Sequence, residues 1–182
     1  MTALVPIANG TEEMEAVIII DMLRRAGIDV DVAGDGDMVT CSRGIRIIPD
    51  IAIDDISDDD EYDAIILPGG GNGVESMISN SSLASILARH AAKKGIIGAI
   101  CAAPRVLHEF GLLKAGSKIT SHPSVEQDLK VYNYTTDRVT VDGRIVTSRG
   151  AGTAFEFSLA LIRMLEDEAT AMRIASDIVL YE

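Results

Sequence analysis

The sequence contains only two cysteines, Cys41 and Cys101, far apart and without paired spacing. That scarcity excludes a disulfide framework and a cysteine-rich zinc cluster, and it points to a reducing compartment. Basic runs are missing too. Sixteen Lys and Arg face 28 Asp and Glu, and a formal net charge of -12 repels phosphate backbones, so direct nucleic-acid binding is not expected. No apolar run approaches the length of a membrane span. The N-terminal MTALVPIANGTEEMEA meets acidic residues by Glu12 with no basic region before them, so it reads as a first strand and not as a signal peptide. A cytoplasmic protein without membrane attachment is expected. Internal repeats, low-complexity tracts and linkers are absent. The one dense charge cluster, Asp54 to Glu61, lacks the glycine-turned alternation of a calcium loop and is read as a solvated loop, so no metal is expected.

What remains is ordinary for a folded domain. At 182 residues, 47% hydrophobic and 24% charged, the chain fits a single domain spanning 1–182. Thr2 to Ala8 reads as a strand, with Thr11 capping a helix from Glu12 to Ala26 that Gly27 stops. Asp29 to Ala33 is the second strand, completing a βαβ unit. Short pieces around Val39 to Cys41 and Ile45 to Ile48 suggest a small hairpin excursion. Ala64 to Leu67 is a buried strand ending in PGGGNG, and a helix from about Leu83 to Lys94 follows. Lys118 to Thr120 is another strand, Asp142-Gly143 turns a hairpin between Arg138–Val141 and Arg144–Thr147, and helices Ala154–Leu165 and Glu168–Ile178 close the chain. This alternation predicts an α/β sandwich with a mostly parallel sheet and helices on both faces. Ligands bind such sheets beyond the carboxyl ends of the strands.

The chain is organised around GIIGAICAAPRVL, Gly95 to Leu107. Ile96, Ile97, Ala99 and Ile100 make a strand buried on both faces, and Pro104 suits the first turn of a helix. Cys101 lies between them on a strand-to-helix turn, which lifts a side chain above the sheet and aims backbone N–H groups at it. A thiol there is expected to ionise more easily than usual. A small buried core cysteine is the plainer alternative.

Other strand ends deliver further groups to the same edge. Glu12, Glu13 and Glu15 occupy a first helical turn, where acidic residues suit the dipole in any protein. Glu15 differs because Met14, Ala16, Val17 and Ile18 surround it, and a poorly solvated carboxyl holds its proton. The glycines after Pro68 let backbone approach a ligand and offer oxyanion donors, although PGGGNG could equally be a plain turn. His122 could act as a base for the thiol or could be an ordinary loop histidine. His90 and His108 lie within helical patterns and look structural. Cys41 reads as a partly exposed structural thiol.

Seven motifs in order, GTEEMEAV (10–17), MLRRAGIDV (22–30), CSRGI (41–45), YDAIILPGG (62–70), AICAAP (99–104), ITSHP (119–123) and TSRGAGTAFEF (147–157), resemble the DJ-one family of the ThiJ/PfpI superfamily over nearly the whole chain. The resemblance implies a flavodoxin-like fold, a homodimer, Cys101 as reactive cysteine, Glu15 as a protonated glutamate and His122 as the active-site histidine. It also implies Gly70 and Ala102 as oxyanion donors, with Arg25 and Arg43 near the dimer interface and pocket. Three departures stand out. Ala151 replaces a proline and is expected to loosen its loop, Ile48 replaces a second cysteine of some members, and Ala102 stands where the peptidase branch has histidine. AICAA also lacks the glycines of the amidotransferase nucleophile motif, so peptidase and amidotransferase readings are both weakened.

Two functions fit. The preferred one is a glutathione-independent glyoxalase needing no metal or organic cofactor: Cys101 adds to a small-molecule 2-oxoaldehyde, methylglyoxal or glyoxal, and a 2-hydroxy acid, lactate or glycolate, is released. Deglycase activity on early glycation adducts would use the same attack. The alternative is a non-enzymatic oxidative-stress sensor or redox-regulated chaperone, acting through oxidation of Cys101.

Overall fold

Ala64–Leu67 and Ile96–Ile100 are buried at every position, the burial expected of central strands covered on both sides. They form the middle of the fold in a computed structural model that describes residues 1–180. In chain order the elements are β1 (Thr2–Ile7), α1 (Glu13–Arg25), β2 (Asp29–Gly34), β3 (Val39–Thr40), β4 (Arg46–Ile47), β5 (Ile51–Ala52), β6 (Ala64–Leu67), α2 (Gly71–Ser79), α3 (Ser81–Ala92), β7 (Ile96–Ile100), α4 (Pro104–Glu109), β8 (Lys118–Ile119), α5 (Glu126–Leu129), β9 (Asn133–Tyr134), β10 (Val139–Asp142), β11 (Ile145–Ser148), α6 (Ala154–Leu165) and α7 (Glu168–Asp177).

Seven strands form one sheet in the order β10-β11-β7-β6-β1-β2-β5. Every neighbouring pair is parallel except β10 and β11, the hairpin turned at Gly143. The core divides by face. Ile19, Leu23, Phe157 and Ile162 pack on one side of the sheet, and Leu67, Met77, Leu87 and Leu107 on the other. Gly98 in β7 makes room for this packing, since a Cβ there would stand 2.9 Å from Phe157 Cζ. Among the described residues, no helix is long and apolar enough to cross a membrane.

Several expectations need correction. Thr11 does not cap α1: its Oγ1 accepts from Ala8 N (2.9 Å), and Glu12 is the cap, accepting from Glu15 N (2.8 Å). The glycine-rich segment after Gly70 is helix α2, not loop. Gly10 and Gly73 explain why: a Cβ on Gly73 would stand 2.6 Å from Thr11 N, so these glycines let α2 lie directly on the β1–α1 turn. The Lys118 strand exists but leaves the main sheet and pairs with β9 alone. Cys41 is buried instead of partly exposed, its pKa raised by burial and then by Glu13 and Glu12. His90 is buried with Nε2 2.8 Å from Ile96 O, and His108 Nδ1 lies 2.9 Å from Tyr132 OH, so both histidines are structural.

Candidate active site

The carboxyl ends of β1, β6, β7 and β11 meet at a cleft of about 330 Å³. Cys101 sits there directly after β7, with φ +63°, a left-handed conformation that costs about 1–2 kcal/mol for a residue bearing a Cβ. The strain is held by hydrogen bonds on both sides: Cys101 N donates to Ser148 O (2.9 Å) at the end of β11, and His122 N donates to Cys101 O (2.8 Å). Pro104 then opens α4, where its missing N–H is not needed. The elbow expected from the sequence is present.

Glu15, in the first turn of α1, is fully buried beneath the cleft. Its Oε2 accepts from Gly69 N (2.7 Å), and its Oε1 has no hydrogen bond of normal geometry. The Cys101 thiol and the Ala151 N–H lie near enough to favour the ionised form, but burial outweighs them and lifts the Glu15 pKa to about 7. A proline at 151 would lack that N–H. Thr153 ties the Ala151 turn: Thr153 N donates to Gly150 O (2.7 Å) and Gly150 N to Thr153 Oγ1 (3.1 Å).

The thiol departs from expectation. Burial first, and then Glu15 as a charge and hydrogen-bond partner, push Cys101 up to about 12, while the N–H groups of Gly70 and Ala102 pull it down. The elbow supplies the donors read from the sequence, but it also places the sulfur in a poorly solvated floor beside a carboxylate. Protonating Glu15 removes the carboxylate's opposition and leaves the donors.

A Cβ built on Gly150 would stand 4.0 Å from both Cys101 Sγ and Glu15 Oε1 and 3.6 Å from His122 Cδ2, so three chemical groups border one small space. His122 is exposed, and its Nδ1 accepts from Ser124 N (3.2 Å) and meets Ser124 Oγ at 2.8 Å. An Nδ1 that accepts from Ser124 N leaves the proton on Nε2 in the neutral ring. Arg43 lines the cleft, and its backbone N donates to Glu13 Oε1 (2.7 Å). Arg25 does not line the cleft; it is exposed on α1 and paired with Asp21 at 2.6 Å.

Sequence reasoning missed the Gly69 N–H that fixes Glu15, and it missed Arg105, Glu75 and Ser124 in the cleft wall. Of these only the Arg105–Glu109 spacing carries a local signal. Among the described residues, no group of three or more His, Cys, Asp or Glu side chains is placed to hold a metal.

A doubly wound parallel sheet carrying a strained cysteine elbow over a buried glutamate defines a flavodoxin-like α/β protein with a thiol site at its carboxyl edge. The chain belongs to the DJ-1/PfpI family, whose model matches residues 1–164. It is 39% identical over 183 residues to the Parkinson disease protein 7 homolog of Danio rerio, covering 98% of this chain and 96% of that protein. It is 37% identical over 158 residues to a Caenorhabditis elegans protein named glutathione-independent glyoxalase DJR-1.2, covering 85% and 83%. The crystal structure of Drosophila melanogaster DJ-1beta superposes with a TM-score of 0.94 at 39% identity, covering 100% of this chain and 98% of that one.

Proposed function

We propose that this protein is a glutathione-independent glyoxalase that converts methylglyoxal to lactate, and glyoxal to glycolate, through a hemithioacetal on Cys101. The observation that carries the reading is the buried Glu15 carboxyl, anchored by Gly69 on one oxygen and unpartnered on the other, beside the only thiol that opens to the cleft among the described residues. The glyoxalase name of one relative supports the reaction class.

Glu15 and Cys101 share one proton. When the sulfur adds to the aldehyde carbon, a C–S bond forms, the thiol proton passes to Glu15, and the carbonyl oxygen becomes an oxyanion facing the Gly70 and Ala102 N–H groups. Glu15 returns that proton to oxygen. As carboxylate it then removes the hydrogen from the sulfur-bearing carbon and delivers it to the neighbouring carbon, while the hydroxyl proton moves through the enediol to the neighbouring carbonyl oxygen, so that the hemithioacetal becomes a thioester. Water cleaves the thioester, releasing the 2-hydroxy acid and the thiol. The sum is aldehyde plus water, with no external oxidant or reductant. A pKa near 7 suits a group that must gain and lose a proton in each cycle. Addition to early glycation adducts would follow the same path and register as deglycase activity.

The functional unit is a homodimer in this reading. Met14, Val17, Asp21 and Arg25 are all exposed and share one stripe of α1, and Ile45 and Ile48 are exposed on the hairpin that Glu13 holds against that helix. The test of function is methylglyoxal consumption and lactate formation without glutathione, for wild type and Cys101→Ala. Turnover is expected in the wild type alone, and retained turnover in the variant would overturn the mechanism.

A further inference from the structure

Helix α4 packs between α2 and α5, and one side chain ties all three together. Arg105, half-buried in the cleft wall, forms an ion pair with Glu75 of α2 through Nη1, with Nη2 3.5 Å from the other Glu75 oxygen. Its Nε lies 3.6 Å from Asp128 Oδ2 of α5 and 3.8 Å from Glu109 Oε1 within α4. Each contact alone is a partly exposed pair of small value. Their arrangement is what matters. Helix α2 starts directly after Gly70, α4 follows Cys101 and Ala102, and α5 follows His122 through the short turn Pro123–Val125. The guanidinium therefore joins, across the mouth of the cleft, the three segments that present an oxyanion donor, the nucleophile and the histidine.

We propose that Arg105 is a positioning residue that holds Gly70, Cys101 and His122 in register through its hydrogen-bonded ion pair with Glu75 and its longer ion pair with Asp128, with Glu109 steadying it within α4. The inference rests on the glyoxalase reading for its turnover arm only. A planar guanidinium presents donors in several fixed directions, whereas a lysine ammonium is a point charge on a flexible stem. Substituting lysine keeps the charge and loses the span. Misplacing the donors should weaken stabilisation of both the oxyanion and the thiolate, with little effect on substrate affinity.

The experiment compares wild type, Arg105→Met and Arg105→Lys by methylglyoxal kinetics and by the rate of Cys101 alkylation with iodoacetamide, read by mass spectrometry of its peptide. Both variants should fold, lose about tenfold or more in kcat with KM within about twofold, and alkylate Cys101 several-fold more slowly. Wild-type kcat and alkylation in Arg105→Lys would overturn the proposal, because charge alone would then suffice. A loss confined to KM, or unchanged alkylation in both variants, would overturn it as well. If the wild type consumes no methylglyoxal, the glyoxalase reading fails, and the alkylation arm still decides the role of Arg105. Should Arg105→Met not fold, Glu75→Gln cuts the α2 arm alone and must show the same slowing.

Discussion

Replacing Glu15 by glutamine separates what this carboxyl does for chemistry from what it costs the fold. Glu15 is fully buried, and its pKa rises from 4.5 to about 7, chiefly through desolvation. The folded state keeps a proton that the unfolded chain releases. Its contribution to stability is therefore complete below about pH 4.5 and declines as pH climbs, until it is lost above about pH 7. At about 1.4 kcal/mol per pH unit, the interval is worth about 3 kcal/mol. Glutamine cannot titrate, yet it retains an oxygen to accept from Gly69 N. Glu15→Gln should thus lack this decline, whereas the titration of other groups, buried His90 among them, is common to both proteins. With 28 Asp and Glu against 16 Lys and Arg, the chain approaches its isoelectric point at the acid end. Urea unfolding from about pH 5.5 to about pH 8 avoids that region, and over it the wild type should lose about 2 kcal/mol relative to the variant. Turnover in the same samples should fall by about a hundredfold or more. Parallel pH profiles for the two proteins would refute the raised pKa, and undiminished turnover would refute Glu15 as proton carrier.

Two further substitutions probe the scaffold. A Cβ on Gly70 would collide with Gly10 O and stand 2.6 Å from Glu12 N, at φ +93°, so Gly70→Ala should cost about 3 kcal/mol or more; a thermal midpoint equal to wild type would show that the two turns are not in close contact. Val17→Glu places a charge in the exposed stripe of α1, and it should convert a dimer into a folded monomer in sedimentation velocity. A monomeric wild type would remove the dimer from the proposal.

The elements most legible in the sequence were those whose signals are local. Strand β6 and helix α6 have the bounds their patterns predict, because uninterrupted burial and a clean apolar stripe need no information from elsewhere. The Cys101 elbow was legible for the same reason, with an apolar run and Pro104 bracketing it. Helix α2 was not. Its glycines argue for a loop on propensity, and only the approach of Thr11 across the fold shows that they serve packing. The site divides similarly. Apolar neighbours flagged Glu15 as poorly solvated, but the direction of the Cys101 shift depends first on how deeply the fold buries the sulfur and then on how near Glu15 comes in space. The tautomer of His122 depends on Ser124 N, and the reach of Arg105 to Glu75 and Asp128 spans segments that no sequence window joins.

Several of the groups that hold the site belong to the main chain: the N–H of Gly70 and of Ala102 face the sulfur, and the N–H of Gly69 fixes Glu15 beside it. No point substitution deletes a peptide N–H unless it introduces proline, so this part of the site is insulated from mutational drift so long as the backbone path survives. The exposed or half-exposed side chains at the rim, Arg43, Arg105 and His122, have no such protection. On the proposed reading, a lineage carrying this scaffold exchanges one carbonyl substrate for another by altering the rim, while the backbone donors at the floor are inherited unchanged.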